Sequence, residues 1–173
     1  MKKSVWLWQL VGFSLCSLMG TLLHFLYEWL GRALWIAPFS GVNESTAEHM
    51  KLFFWPCFIF GCAQYFFFRD RPDFWCIKAR GILLGLVLIP VIFYTYNGAI
   101  GKSPDWVNIA IFFVSTAAAF LYEAKRLYGG ERSAKPRLCF ALLCLVGAMI
   151  VIFTFMPPNI GLFRDPVTGG LGI

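Results

Sequence analysis

The sequence predicts an all-α, polytopic membrane protein: a bundle of five transmembrane helices with a cytoplasmic N-terminus and an extracytoplasmic C-terminus. Three observations predict it. The 173 residues are 59% apolar and only 14% charged, far from the roughly one quarter charged that soluble domains carry. Five apolar runs, about residues 5–31, 45–68, 80–99, 107–122 and 138–156, each suit a hydrocarbon core of roughly 30 Å. Of the fifteen Lys and Arg, eleven fall in the segments that share a side with the N-terminus, and only Arg32, Lys51, Lys102 and Arg164 fall on the other; basic residues near spans stay cytoplasmic. Residues 1–173 are therefore read as one integral membrane domain, in the cytoplasmic (inner) membrane.

Lys2-Lys3 followed by an apolar run imitates a secretory signal, but no small-residue cleavage pattern follows and the run continues into His24 and Glu28. The first span is expected to be a retained helix. The loop at residues 32–44 has an amphiphilic centre, Ala33-Leu34-Trp35-Ile36-Ala37-Pro38-Phe39. Such a segment should lie along the interface with Trp35 at headgroup depth.

Ser45-x-x-Glu48 is a capping box, whose hydroxyl and carboxylate satisfy backbone amides at a helix start, so the second helix begins there. Pro56 and Pro90 fall inside the second and third spans, where each removes a backbone hydrogen bond and can bend its helix. Residues 125–137, with Gly129-Gly130, read as a solvated inner turn. The tail at residues 157–173 carries Pro157-Pro158, Asp165-Pro166 and Gly169-Gly170, all turn signals.

The net charge of +6 is accounted for by inner loops facing anionic membrane lipids, so nucleic acid is not an expected partner. Cys16, Cys57, Cys62, Cys139 and Cys144 fall inside spans and Cys76 in an inner loop, none placed for an outer disulfide. The pairs Cys57/Cys62 and Cys139/Cys144 miss the same-face spacings of three and four. They read as polarizable packing residues rather than metal ligands.

Polar groups concentrate at the outer boundary. His24 and Glu28 are i and i+4 on one helix face, as are Glu44 and Glu48, with His49 beside Glu48. Tyr94, Tyr96 and Asn97 close the third span, Asn108 opens the fourth, and Arg164 and Asp165 return in the tail. All are expected to converge on one cavity beneath the first loop, formed with the first four helices, and no comparable cluster is expected in the inner half of the spans. Ionisable groups at a bilayer boundary are costly and mark function by default.

His24-x-x-x-Glu28, the stretch Val42-Asn43-Glu44-Ser45-Thr46-Ala47-Glu48-His49, and Phe163-x-Asp165-Pro166-x-Thr168-Gly169 together resemble the pattern of a family of small uncharacterised bacterial multi-pass membrane proteins. The resemblance runs from first helix to tail. It implies a bacterial membrane location and supplies no activity.

Imidazole and carboxylate together suit zinc, iron or manganese. The expected metal ligands are His24, Glu28, Glu48 and His49, with Glu44 in reserve, holding a divalent metal such as zinc, although His-Glu-x-x-His is absent. Without a metal, Glu48 would be the general base with His24 and Glu28 as catalytic partners; Ser45 is a weaker nucleophile because capping occupies its hydroxyl. Asn43, Tyr94, Asn97 and Arg164 are the expected substrate contacts.

The leading functional expectation is a membrane-embedded hydrolase or transferase acting on a lipid-linked or amphiphilic substrate from the outer leaflet. The alternatives are a small-solute-binding or transport subunit, with Arg32, Lys51, Lys102 and Arg164 meeting an anionic group beside Trp29, Trp35 and Trp106, and an accessory subunit of a homo-oligomer or larger membrane complex. Structural readings compete with each residue: Glu44 and Glu48 complement a helix dipole, His24 and Glu28 lock two helices together, and both histidines serving a haem is a minor reading.

Overall fold

The computed structural model describes residues 2–129 and 135–173 and contains five helices: α1 Lys2–Trp29, α2 Thr46–Phe68, α3 Phe74–Ala99, α4 Asp105–Gly129 and α5 Pro136–Phe155, followed by a 3-10 turn, Gly161–Phe163. Each of the five is long and apolar enough to cross a membrane, as fits a multi-pass membrane protein, and the described residues form no strand beyond an isolated bridge between Arg164 and Leu171. Gly130 and Arg132 of the expected inner turn lie outside the described residues.

Helices α1 to α4 close into a ring in which each packs on its neighbours, and α4 returns against α1. Helix α5 lies outside that ring against α3 and α2. The ring is filled by Phe53, Phe54, Cys57, Phe60, Ile82 and Phe120, each at most 8% exposed. By contrast Leu138, Leu145, Ile152 and Phe155 of α5 are exposed, as befits side chains whose solvent is lipid.

Two boundaries differ from the hydropathy reading. Helix α3 begins at Phe74 rather than near residue 80, and α4 runs to Gly129 rather than stopping near residue 122. The cause is one interaction. Lys78 and Glu123, which flank the apolar runs, are each only 1% exposed and pair at 2.6 Å between α3 and α4. Pairing removes the reason to end either helix, because a buried charge is tolerated once a partner and hydrogen bonds satisfy it. The expectation that no comparable polar cluster occurs in this half of the bundle is thereby corrected: Gln9 and Gln64, also within this half, are buried as well.

A second correction concerns cysteine. Cys76 and Cys139 form a disulfide with Cα atoms 5.0 Å apart, joining the first turns of α3 and α5. They are not separate packing residues, and no spacing rule reveals a bond across 63 positions. Cys16, Cys57, Cys62 and Cys144 are free.

The first loop is pinned rather than loose. Gly31 (φ 63°) and Arg32 (φ 60°) are consecutive left-handed residues that turn the chain off α1; for Arg32 this conformation is uncommon. Ile36 and Ala37 then pack on Tyr27, while Leu34 and Trp35 stay exposed. The buried Ser40 hydroxyl enters the α1 ladder, accepting the Tyr27 N–H at 2.8 Å and donating to the Leu23 carbonyl. Trp55 Nε1 donates to the Pro38 carbonyl at 2.8 Å, and Lys51 Nζ to that of Ala37 at 2.7 Å.

Candidate metal centre

The Ser40 insertion lies beside His24. Gly41 follows, donating its N–H to the Leu23 carbonyl, and a Cβ there would meet His24 Nδ1 at 3.6 Å. The loop backbone therefore packs against one edge of this imidazole. His49, in the first turn of α2, faces it with ring centroids 5.6 Å apart.

Helix-start chemistry fixes the surroundings of His49. Ser45 caps α2, its hydroxyl accepting the Glu48 N–H at 3.4 Å. The reciprocal arm of the capping box does not form: Asn43 Oδ1 takes the Ser45 N–H at 2.9 Å, which frees the Glu48 carboxylate. The Ser45 carbonyl meanwhile lies 3.0 Å from His49 Nδ1. A carbonyl can only accept, so Nδ1 carries a proton, and in the neutral imidazole Nε2 is the nitrogen with the lone pair.

That lone pair points to Glu44. The Glu44 carboxylate lies 3.6 Å from His24 Nε2 and 3.8 Å from His49 Nε2, and one ligand atom from each of the three residues falls within 4.8 Å of the others. Two ligands about 2.1 Å from a metal at a tetrahedral angle lie about 3.4 Å apart, so the two imidazole–carboxylate separations are near those of such a centre, while the widest separation in the triad, up to 4.8 Å, would have to close on binding. Two imidazoles and one carboxylate form a donor set used by zinc and by non-haem iron. A carbonyl on the outer nitrogen of a ligand histidine is the usual second contact of such centres.

The other expected ligands are elsewhere. Glu28 is exposed and pairs with Arg32 at 3.0 Å, because the left-handed turn brings Arg32 back over the end of α1. Glu48 is buried, 2.5 Å from Lys51 Nζ and 2.9 Å from the Val42 N–H it accepts. Glu48 Oε2 and the Lys51 ammonium thus hold α2, the first loop and α5 together, since Lys51 also donates to Thr154 Oγ1 at 3.3 Å. Lys51 faces the protein interior and not a headgroup. The reserve ligand Glu44 occupies the position expected of Glu48.

The expected substrate contacts do not gather at the triad. Asn43 Nδ2 donates to the Gly172 carbonyl at 3.0 Å, tying the first loop to the tail. Asn97 accepts the Ser103 N–H at 2.9 Å, and Ser103 Oγ donates to Asn108 Oδ1 at 2.7 Å, so these residues build the α3–α4 turn. Arg164 donates to Asn159 Oδ1 at 2.7 Å. Tyr94 is exposed. Asp165 accepts the Val167 N–H at 2.8 Å and the Thr168 hydroxyl at 2.7 Å; the Asp-Pro-x-Thr-Gly pattern is a self-satisfied turn.

A cavity of about 310 Å³ opens instead on the α5 side of α2, lined by Leu86, Leu145, Met149 and Phe153, with Glu48 and Lys51 on its wall. The triad is not among its lining residues. Sequence reasoning missed this separation, because residues 48 and 49 are neighbours in the chain but look to different sides of one helix.

The model of a family of unknown function, DUF6512, matches residues 1–173. No curated protein and no solved structure matches the chain. The chain belongs to the DUF6512 family.

Proposed function

We propose that this DUF6512 protein lies in the bacterial cytoplasmic membrane with its N-terminus inside, and that His24, Glu44 and His49 hold a divalent metal such as zinc at the extracytoplasmic boundary. The centre serves a hydrolase or transferase reaction on a lipid-linked or amphiphilic substrate. The observation that carries this reading is the pairing of His49 Nδ1 with the Ser45 carbonyl, which leaves Nε2 as a ligand nitrogen facing Glu44 and His24.

His24, Glu44 and His49 would hold the metal with one coordination position open, and the metal would supply the Lewis acidity that activates a water towards an ester or phosphoryl group. Side chains of the triad are partly exposed, 28% for His24, 26% for His49 and 50% for Glu44, so a substrate can approach. Beside them His24 packs edge-on against Phe25, which stacks on the exposed Trp29 at 5.8 Å. An apolar substrate chain lying in the lipid would run along that aromatic face while its head reaches the metal.

Elemental analysis of purified protein after zinc loading tests the reading. About one zinc per chain is expected in the wild type and in Glu28→Gln, and a loss of at least tenfold in affinity in His24→Ala, Glu44→Gln or His49→Ala. Equal zinc content in all of these variants would sink it.

The apolar cavity favours a second reading, a binding or transport subunit for a lipid-like solute. Filling it with Leu145→Trp would then abolish solute binding and leave zinc uptake unchanged, whereas in the hydrolase reading Leu145→Trp leaves turnover within a factor of two or three.

A further inference from the structure

At the opposite end of the bundle a second polar layer is built to a strict register. A Cβ on Gly12 of α1 would strike the rings of Phe60 on α2 and Phe120 on α4; one on Gly20 would strike Phe112 of α4 and the Leu52 carbonyl of α2. Each step along α1 is therefore matched by an equal step back along both antiparallel neighbours. One turn from Gly12 towards the N-terminus stands Gln9; the matching positions are Gln64, one turn past Phe60, and Glu123, one turn past Phe120. Lys78 of α3 completes the layer through its 2.6 Å hydrogen bond to Glu123.

All four side chains are buried, none more than 3% exposed. They sit about 6 to 10 Å inside the helix ends at about 1.5 Å rise per residue. Gly61 and Gly81 leave room for the pair, since a Cβ at those positions would meet the Lys78 methylenes at 3.1 Å and the Glu123 carboxylate at 2.5 Å. The Phe60 and Phe120 rings lie 5.6 and 5.0 Å from Lys78 Nζ and close the layer towards the bundle centre.

Within this layer the amide nitrogen and oxygen of both Gln9 and Gln64 have no hydrogen-bonding partner among the described residues. Such a group costs about 1–3 kcal/mol if left dry. What would satisfy it is constrained by charge. Lys78 already neutralises Glu123, so an added cation meets the ammonium and an added anion meets the carboxylate. The unmet capacity is neutral, half donor and half acceptor, and buried water has that chemistry, bridging polar groups with about three hydrogen bonds each.

We propose that Gln9, Gln64, Lys78 and Glu123 form a hydrated proton-exchange site, in which a few water molecules held by the two carboxamides link the Lys78–Glu123 pair to the solvent at this end. Lys78 gives a proton to a water as that water gives one to Glu123: one N–H and one water O–H break, one water O–H and one carboxylic O–H form, and the layer stays neutral. Cys57 and Cys62 of α2 are further titratable groups within electrostatic reach of Lys78; their neutral thiols add no charge. Ionisable groups inside a bundle commonly serve as such relays. The site is independent of the metal centre, which lies at the other end of α1.

Water-edited solid-state NMR of the full chain in lipid bilayers, with 15N-labelled lysine and Lys78 assigned by its loss in Lys78→Met, tests the proposal. Magnetisation from water should reach Lys78 Nζ within milliseconds, and Gln9→Leu combined with Gln64→Leu should weaken the transfer at least tenfold and lower the melting temperature. No transfer in the wild type overturns the proposal whether or not the variant folds. So does a double-Leu variant that melts higher than wild type, which is what removing two dry amides would give.

Discussion

The two ends of the bundle use similar side chains to opposite effect. At one end Glu44 stands half exposed between two imidazoles; at the other Glu123 is 1% exposed against Lys78 under a lid of phenyl rings. The first arrangement leaves lone pairs converging on open space. The second spends its charges on each other. A primary amine makes the staple here: Lys78 holds Glu123, whereas Glu44, the proposed ligand, faces two imidazoles. Glu48 shows the same at short range: one turn from Glu44, it is claimed by Lys51 and held as structure.

The comparison breaks first at the staples. Glu123→Gln or Lys78→Met should destabilise the fold by about 3–5 kcal/mol, because a lone buried charge is left. The double change Lys78→Met with Glu123→Leu should recover most of it; chemical denaturation in detergent reads both. A full loss in the double variant would mean that the pair is worth more than its desolvation. Glu48→Gln strands Lys51 in the same way and should cost about 2–4 kcal/mol, whereas Glu44→Gln should change stability by less than about 0.5 kcal/mol while weakening zinc binding at least tenfold.

A smaller effect sharpens the ligand end. Ser40→Ala removes the hydroxyl from the α1 ladder and leaves the Tyr27 N–H and Leu23 carbonyl facing each other across the gap. A loss of about 1–2 kcal/mol is expected, with a few-fold weaker zinc affinity as His24 loses its backing. Smallest of all, Asn43→Ala should free the tail from the first loop and release the Ser45 amide, at about 0.5–1 kcal/mol for each hydrogen bond lost; hydrogen exchange at Gly172 and Ser45 would report it.

Much of the fold was legible because membrane helices must satisfy their own backbone and advertise themselves as apolar runs. The count and order of the helices followed. Their ends at Lys78 and Glu123 did not, since hydropathy penalises a charge without knowing that its partner lies 45 residues away. At the site, His24 and His49 were legible as polar residues one to two turns inside facing helix ends. The choice between Glu44 and Glu48 was not, because it turns on Asn43 taking the Ser45 amide and on Lys51 reaching back three residues. The disulfide between Cys76 and Cys139 was invisible for the same reason as the ion pair: both are tertiary. It also opposes the proposed orientation, because it joins the starts of α3 and α5 at the N-terminal end of the bundle, and disulfides are rare in reducing compartments such as the cytoplasm. Labelling of single cysteines placed at Lys102 and at Lys125 with an impermeant thiol reagent should mark the former from outside and the latter only after permeabilisation; the reverse would invert the proposed topology.

The central claim, a metal held by His24, Glu44 and His49, is tested most directly by X-ray absorption spectroscopy of the zinc-loaded protein. The account predicts a first shell of two imidazole nitrogens and light oxygen scatterers at about 2.0–2.1 Å, losing one imidazole in His49→Ala and unchanged in Glu28→Gln. A shell containing sulfur, or one with no imidazole, would contradict it.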